Sequence, residues 1–276
     1  MSDVNKVEIN PFTKTLWWSK EEKELWEPRI SRIRKAYNTT EFLTVAKGLR
    51  RVYVYHVNSE KFEESYQFLR ENNLMFYPTN KSGVYSGFSH KHMPVKRGEP
   101  FTLYGGVVKA NDKEAGDLFT KYSVGGATDH GGIGSLLGYP DCCVNFFNAV
   151  WNKKSIDPIY EAAELTDGMK KENGVITVKT HPYCNNMLRY FGMRITPHLT
   201  CSLQCKKTVK WGKKWIEIMK EVDAEAAEWV EDLLSQPLTW DCYKGISIIE
   251  TDLFRGVTNS DGVLYHKRVN SLGWKK

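Results

Sequence analysis

Four of the chain's six cysteines stand in two pairs, Cys142-Cys143 and Cys201/Cys205. The pairs are far apart in sequence, so a site built from both requires the chain between them to fold back on itself. Each pair reads as a helix start. Pro140 suits a first helical turn, where its missing N–H costs nothing, and places Cys142 and Cys143 in that turn. Thr200 is a good N-cap, so Cys201 is expected to open a helix running to Val222, with Cys205 on the same face. Helix N-termini carry partial positive charge and free N–H groups, which favour thiolates. The pattern therefore points to an anionic metal–thiolate centre with Cys142, Cys143, Cys201 and Cys205 as ligands and His198 as a further candidate.

Composition bears on whether these cysteines have another use. A chain of 276 residues that is 41% hydrophobic can build a core without disulfide staples. The segment MSDVNKVEINPF has no apolar stretch of the secretory kind, and no run approaches the roughly 20 apolar residues that span a bilayer. The expectation is a soluble cytoplasmic protein with no membrane partner. Disulfides are disfavoured there, and clustered cysteines more often bind metal. Cys184, near His181, is a spare ligand, and Cys242 reads as packing.

Zinc commonly takes its thiolates from CxxC-type knuckles, and neither pair has that spacing. Adjacent helical residues diverge by about 100° around the axis, which favours a cofactor that spreads its ligands over several metal corners. A [4Fe–4S] cluster is thus preferred, with zinc as the alternative. The CxxxC at Cys201–Cys205 lacks the third cysteine that radical-SAM enzymes require, because position 208 is Thr. The segment Gly138-Tyr139-Pro140-Asp141-Cys142-Cys143, followed by Pro197-His198-Leu199-Thr200-Cys201 and Cys205, resembles an uncharacterised prokaryotic family with GYPxCC and PHxxCxxxC segments. The resemblance covers about residues 131–210. It implies that the two segments go together in one protein, with Cys142, Cys143, His198, Cys201 and Cys205 carried over as the site, and it implies no activity.

The fold class expected is mixed α/β with a helix-rich middle. Ser19–Tyr37 has helical periodicity, Arg51–Val57 alternates as a strand, and Leu74–Tyr77 is a second strand stopped by Pro78. With the helix between them they form a β-α-β unit, most simply with parallel strands. Phe101–Lys109 is a further strand, Asn111 caps a short helix through Tyr122, and helices follow from Pro140 and over 156–167. Val175–Lys179 is a short strand and Pro182–Phe191 is helical. Beyond the Cys201 helix, Asp223–Ser235 is another helix. Gly245–Phe254 and Val263–Val269 then flank a turn at Asn259-Ser260-Asp261-Gly262, as a C-terminal β-hairpin. A boundary near residue 111 would separate an α/β region (1–110) from a cysteine-bearing region (111–276), unless both form one domain.

Other residues carry weaker signals. The glycine-rich stretch Val124–Gly134 lies just before the first cysteine pair, and makes Asp129 and His130 candidate catalytic groups. Arg189, Arg194, Lys207, Lys210 and Lys214 could bind an anionic substrate, consistent with the net charge of +6. His90 and His92 read as part of a solvated basic loop, and His56 as a sheet residue. Two functions follow. One is a metal enzyme acting on a nucleotide or on a base in nucleic acid. The other is a nucleic-acid-binding protein in which the metal is purely structural. A solvent-reachable cavity at the cysteines that contains Asp129 or His130 would favour the first.

Overall fold

The computed structural model describes residues 12–84, 93–124, 128–151, 158–259 and 266–275. Strand β1 (Thr13–Trp17) leads into helix α1 (Lys20–Ala46), and β2 (Tyr53–Asn58), α2 (Phe62–Glu71), β3 (Leu74–Gly83) and β4 (Phe101–Lys109) follow. Next come α3 (Lys113–Ser123), α4 (His130–Leu136), α5 (Asp141–Trp151), α6 (Pro158–Glu164), β5 (Lys170–Glu172) and β6 (Val175–Val178). After two 3-10 turns, α7 (Lys206–Ser235) precedes β7 (Leu238–Tyr243), β8 (Ile246–Thr251), β9 (Phe254–Asn259) and β10 (Lys267–Ser271). The class is mixed α/β, with helices concentrated in the middle. His90, His92, Gly125, Gly126, Ala127, Ser260, Asp261 and Gly262 lie outside the described residues.

The small sheet has the order β2-β4-β3. β2 and β3 each pair antiparallel with β4, so they run parallel to one another, as a β-α-β unit requires, but β4 lies between them. Alternation sends neighbouring residues to opposite faces. Val54, Tyr77 and Val108 pack with Phe119 and Leu136 of α3 and α4. Tyr53, Tyr55, Phe76 and Val107 pack with Phe42, Val45 and Leu69 of α1 and α2. β3 does not stop at Pro78. It continues to Gly83 across a register shift between Pro78 and Asn80, and as an edge strand it tolerates the lost N–H.

The large sheet has the order β1-β9-β8-β7-β10-β6-β5. The expected hairpin is replaced by a different pairing. β10 lies parallel to β6 and antiparallel to β7, while β7 and β8 form a hairpin around Lys244 (φ 48°) and Gly245 (φ 80°). Positive φ at both central residues matches the twist of the flanking strands. β1 and β9, absent from the sequence reading, pair antiparallel at the sheet edge.

Helices α1 and α7 pack together, and their buried faces join sheet residues such as Trp240, Ile249 and Val269 in the main core. α1 is capped by Ser19, whose hydroxyl accepts from Glu22 N at 3.0 Å. It runs past Tyr37 to Ala46, and Thr40 and Thr44, both buried there, satisfy their hydroxyls on carbonyls one turn back. The cap of α3 is Asp112 rather than Asn111. α7 breaks at Asp223 (φ −162°, ψ 96°), where the Asp223 carboxylate caps the second half by accepting from Ala226 N.

One ion pair among the described residues has both side chains almost wholly buried. Glu41 meets Arg50 at 3.1 Å with both side chains 1% exposed, and Glu41 also accepts from Trp215 Nε1 at 2.8 Å. Removing one partner strands the other charge, which typically costs about 3–5 kcal/mol. Glu41→Ala is expected to lower unfolding free energy by about that amount, measured by denaturant titration. The double replacement Glu41→Leu with Arg50→Met is expected to cost much less.

Candidate metal centre

The two cysteine segments are positioned by different means. Gly138, with φ 67°, turns the chain out of α4, and the Pro140 carbonyl accepts from Cys143 N and Val144 N. Cys142 and Cys143 therefore occupy the first turn of α5, where backbone N–H groups lack intrahelical partners. Cys201–Cys205 is not helical, contrary to expectation. It is a turn ahead of α7, with Cys205 at the N-cap. The reason is tertiary. Leu203 is buried, its N–H donates to Thr166 Oγ1 at 2.8 Å and its carbonyl accepts from His181 N at 2.9 Å. These contacts hold the turn open and move the start of the helix to Lys206.

The sulfurs of Cys142, Cys143, Cys201 and Cys205 all lie within 4.8 Å of one another. Cys142 Sγ is 4.0 Å from Cys143 Sγ and 3.7 Å from Cys205 Sγ, and Cys143 Sγ is 3.8 Å from Cys205 Sγ. The adjacent pair converges because each χ1 torsion swings its sulfur independently of the Cα direction. Cys143 and Cys205 are buried, and Cys142 and Cys201 are partly exposed. This group can hold a metal ion. Cys184 lies behind it, and its thiol donates to the Cys205 carbonyl at 3.7 Å. Cys242 is in the main core, as expected for packing.

Four thiols this close cannot all ionise without a cation. Hydrogen bonds from Cys143 and then Cys201 hold Cys205 far below the usual thiol range. Donation to Cys143 and to Cys205 holds Cys201 far above it. Cys143 receives a hydrogen bond from Cys201 that favours its thiolate, yet donation to Cys205 and burial push it up to about 12. A bound cation would replace the shared protons, so metal uptake releases protons and strengthens as pH rises.

Thr208 extends the site. Its hydroxyl lies 3.2 Å from Cys143 Sγ and 3.0 Å from His198 Nε2. His198 is thus one hydroxyl removed from the sulfurs, packed between Tyr139 (4.8 Å) and Trp211 (5.7 Å), and burial pulls its pKa down to about 3. His181 accepts from Tyr183 N and packs against Trp274, and it is not part of the sulfur group. Beside the centre lies a cavity of about 530 Å³, lined in part by Cys143, His198, Tyr139 and His130 and by His56 and Tyr104 of the small sheet.

The other candidates fall in different places. The Asp129 carboxylate caps α4 by accepting from Gly132 N at 2.9 Å. His130 stands in the cavity wall with its ring 5.2 Å from that of Phe147. Arg194 donates to Tyr37 Oη at 2.9 Å, and Arg189 packs over Tyr190. Lys207, Lys210 and Lys214 lie on the exposed face of α7. Thr208, Tyr139, His56 and Tyr104 were not singled out as site residues. Thr208 shares the buried stripe of α7 and Tyr139 lies inside the GYPDCC segment, whereas nothing local marks the two strand residues.

The fold and site define a protein with a four-cysteine cluster set between the starts of two helices. A family described as "Protein of unknown function (DUF483)" matches residues 118–234, a stretch that includes all four clustered cysteines. No curated protein and no solved structure matches the chain.

Hydrogen bonds to metal-binding groups typically tune affinity by 10–100-fold. Thr208→Val, which keeps the shape and removes the hydroxyl, is expected to weaken metal binding by roughly that factor while the protein stays folded. Competition with a chromophoric chelator, alongside circular dichroism, would measure both.

Proposed function

We propose that the chain is a metal-dependent enzyme acting on a nucleotide or on a base in nucleic acid, with its substrate in the cavity beside the four cysteines. The observation that carries this reading is the cavity itself, whose wall contains Cys143, one of the four sulfur ligands, together with His130. Its volume falls in the range of small-molecule sites, roughly 300–1,000 Å³. Aromatic rings from Tyr104, Phe119, Tyr139 and Phe147 offer surfaces for a flat ligand.

The sulfur spacing favours a single ion. Four thiolates about 2.3 Å from a tetrahedral metal lie about 3.8 Å apart. The separations among Cys142, Cys143 and Cys205, at 3.7, 3.8 and 4.0 Å, lie near that figure, and all four sulfurs are within 4.8 Å of one another. A cubane places each thiolate on a different iron corner and so sets its ligand sulfurs farther apart. An ion with four sulfur ligands has no open position, so its contribution is to neutralise the thiolates and fix the starts of α5 and α7. Proton transfer then falls to residues of the cavity wall, where His130 and His56 are groups of suitable type.

One observation favours a second reading, a nucleic-acid-binding protein with a structural ion. Lys206, Lys207, Lys210, Lys213 and Lys214 form an exposed face on α7. Backbone binding by such a face falls steeply with salt.

Anaerobically purified protein is expected to carry about one zinc or iron per chain without acid-labile sulfide. About four irons with sulfide would replace the single ion with a cluster. Nucleosides are expected to bind the metal-loaded protein in ligand-observed NMR and to lose binding in Ile133→Trp, which fills the cavity. Salt-sensitive binding of nucleic acid with no nucleoside binding would establish the second reading instead.

A further inference from the structure

A metal held by the four cysteines would dictate the direction of a short hydrogen-bond chain beside them. Cys143 Sγ lies 3.2 Å from Thr208 Oγ1, which lies 3.0 Å from His198 Nε2. A thiolate that coordinates a metal carries no proton and can only accept. An oxygen this close to the sulfur, with no hydrogen aimed at it, would set its own lone pairs against the negative charge. The Thr208 hydroxyl must therefore donate to Cys143. It has a single proton to give, so toward His198 it can only accept. His198 Nε2 is then the donor and carries the hydrogen.

The members of this chain are held in place from outside it. Thr208 is wholly buried on α7, and its branched side chain is stiff at χ1. The His198 ring is buried, with Tyr139 tilted against it at 4.8 Å and Trp211 edge-on at 5.7 Å. The His198 carbonyl accepts from Asn186 Nδ2 at 3.0 Å, which ties down the backbone beneath the ring. Burial disfavours the charged imidazole, so a hydrogen on Nε2 leaves a lone pair on Nδ1. Nδ1 is enclosed and has no hydrogen-bond partner among the described residues. The ring's polar contact is therefore made through Nε2, toward the metal centre.

We propose that His198 is a positioning residue for the metal centre. Its Nε2–H holds the Thr208 hydroxyl on Cys143, and so strengthens metal binding without His198 itself being a ligand. Cys143 is also the clustered cysteine found in the described cavity wall, so the thiolate steadied in this way is the one beside the cavity. The inference rests on the reading of the four cysteines as a metal site, and is independent of the substrate assigned to the cavity.

The test uses the full-length protein, zinc as the only added metal, and 15N-labelled histidine. In the zinc-loaded protein His198 is expected to show a protonated Nε2 and an unprotonated Nδ1. His198→Phe keeps a flat ring without the donor. It is expected to weaken zinc binding roughly fivefold, the worth of one ordinary hydrogen bond, as read by chelator competition. In a Thr208→Val background, where the intervening hydroxyl is gone, His198→Phe is expected to cost nothing further. Should His198→Phe fail to fold, the ring spectrum of the unaltered protein decides alone. A protonated Nδ1 with a bare Nε2 in the loaded protein would overturn the proposal. An unchanged affinity in His198→Phe would do the same, as would an equal loss with and without the Thr208 hydroxyl, which is the mark of packing alone. A protein that binds no zinc would overturn the proposal together with the metal-site reading beneath it.

Discussion

Negative charge at the four-cysteine cluster is the constraint on which the architecture turns. Sulfurs at 3.7–4.0 Å repel strongly once ionised, and the burial of Cys143 and Cys205 removes the water that would screen them. Two features oppose that repulsion before any ion arrives. The first turns of α5 and α7 place backbone N–H groups and positive dipole ends near the sulfurs. Shared protons reduce the charge further, leaving Cys205 as the favoured thiolate. The geometry is therefore set in advance by the protein, through the anchored turn at Leu203 and the Gly138–Pro140 bend.

The cluster also lies where separate parts of the fold meet. The small sheet contributes His56 and Tyr104 to the cavity, α4 contributes His130, and the segment before α7 contributes His198. The residues of the small sheet are held by packing in which the cysteines take no part. Phe119 of α3, for example, fills the space beside Gly106 of β4, where an added Cβ would come within 2.6 Å of its ring. Such packing sets the relation of the strands to α3, and so fixes one side of the cavity.

Much of this was legible in the sequence, and the rest was not, for identifiable reasons. Cysteines in pairs announce their chemistry by type, and helical spacing over α7 separates an apolar face from a lysine face. Thr208, Trp215 and Met219 are buried on the first face, and the five lysines opposite are exposed. The start of α7 was misplaced because Thr200 is a better cap by residue type than Cys205. Burial of Leu203 and its bonds to Thr166 and His181 outweigh that local preference. The pairing of β10 with β6 and β7 was illegible for a similar reason, since register between distant strands depends on a shared core rather than on either strand's own residues. The wall of the cavity combines the two cases. His130 and Tyr139 lie close in sequence to the cysteines, whereas His56 and Tyr104 arrive there only through the folding of the small sheet.

The pairing of β1 with β9 joins residues almost at opposite ends of the described chain, Thr13 with Thr258 and Trp17 with Phe254. A ribosome releases these partners at widely separated moments. As the chain emerges, β1 has no strand to join until every element from α1 to β8 has been made, although α1, next to it, already has the means to form. Closure of that sheet edge is thus a late event in biosynthesis, and contacts of such long sequence separation are the slow ones in folding. Until then Leu16 and its neighbours form an unpaired strand, the kind of segment that chaperones shield and that pairs wrongly when left alone.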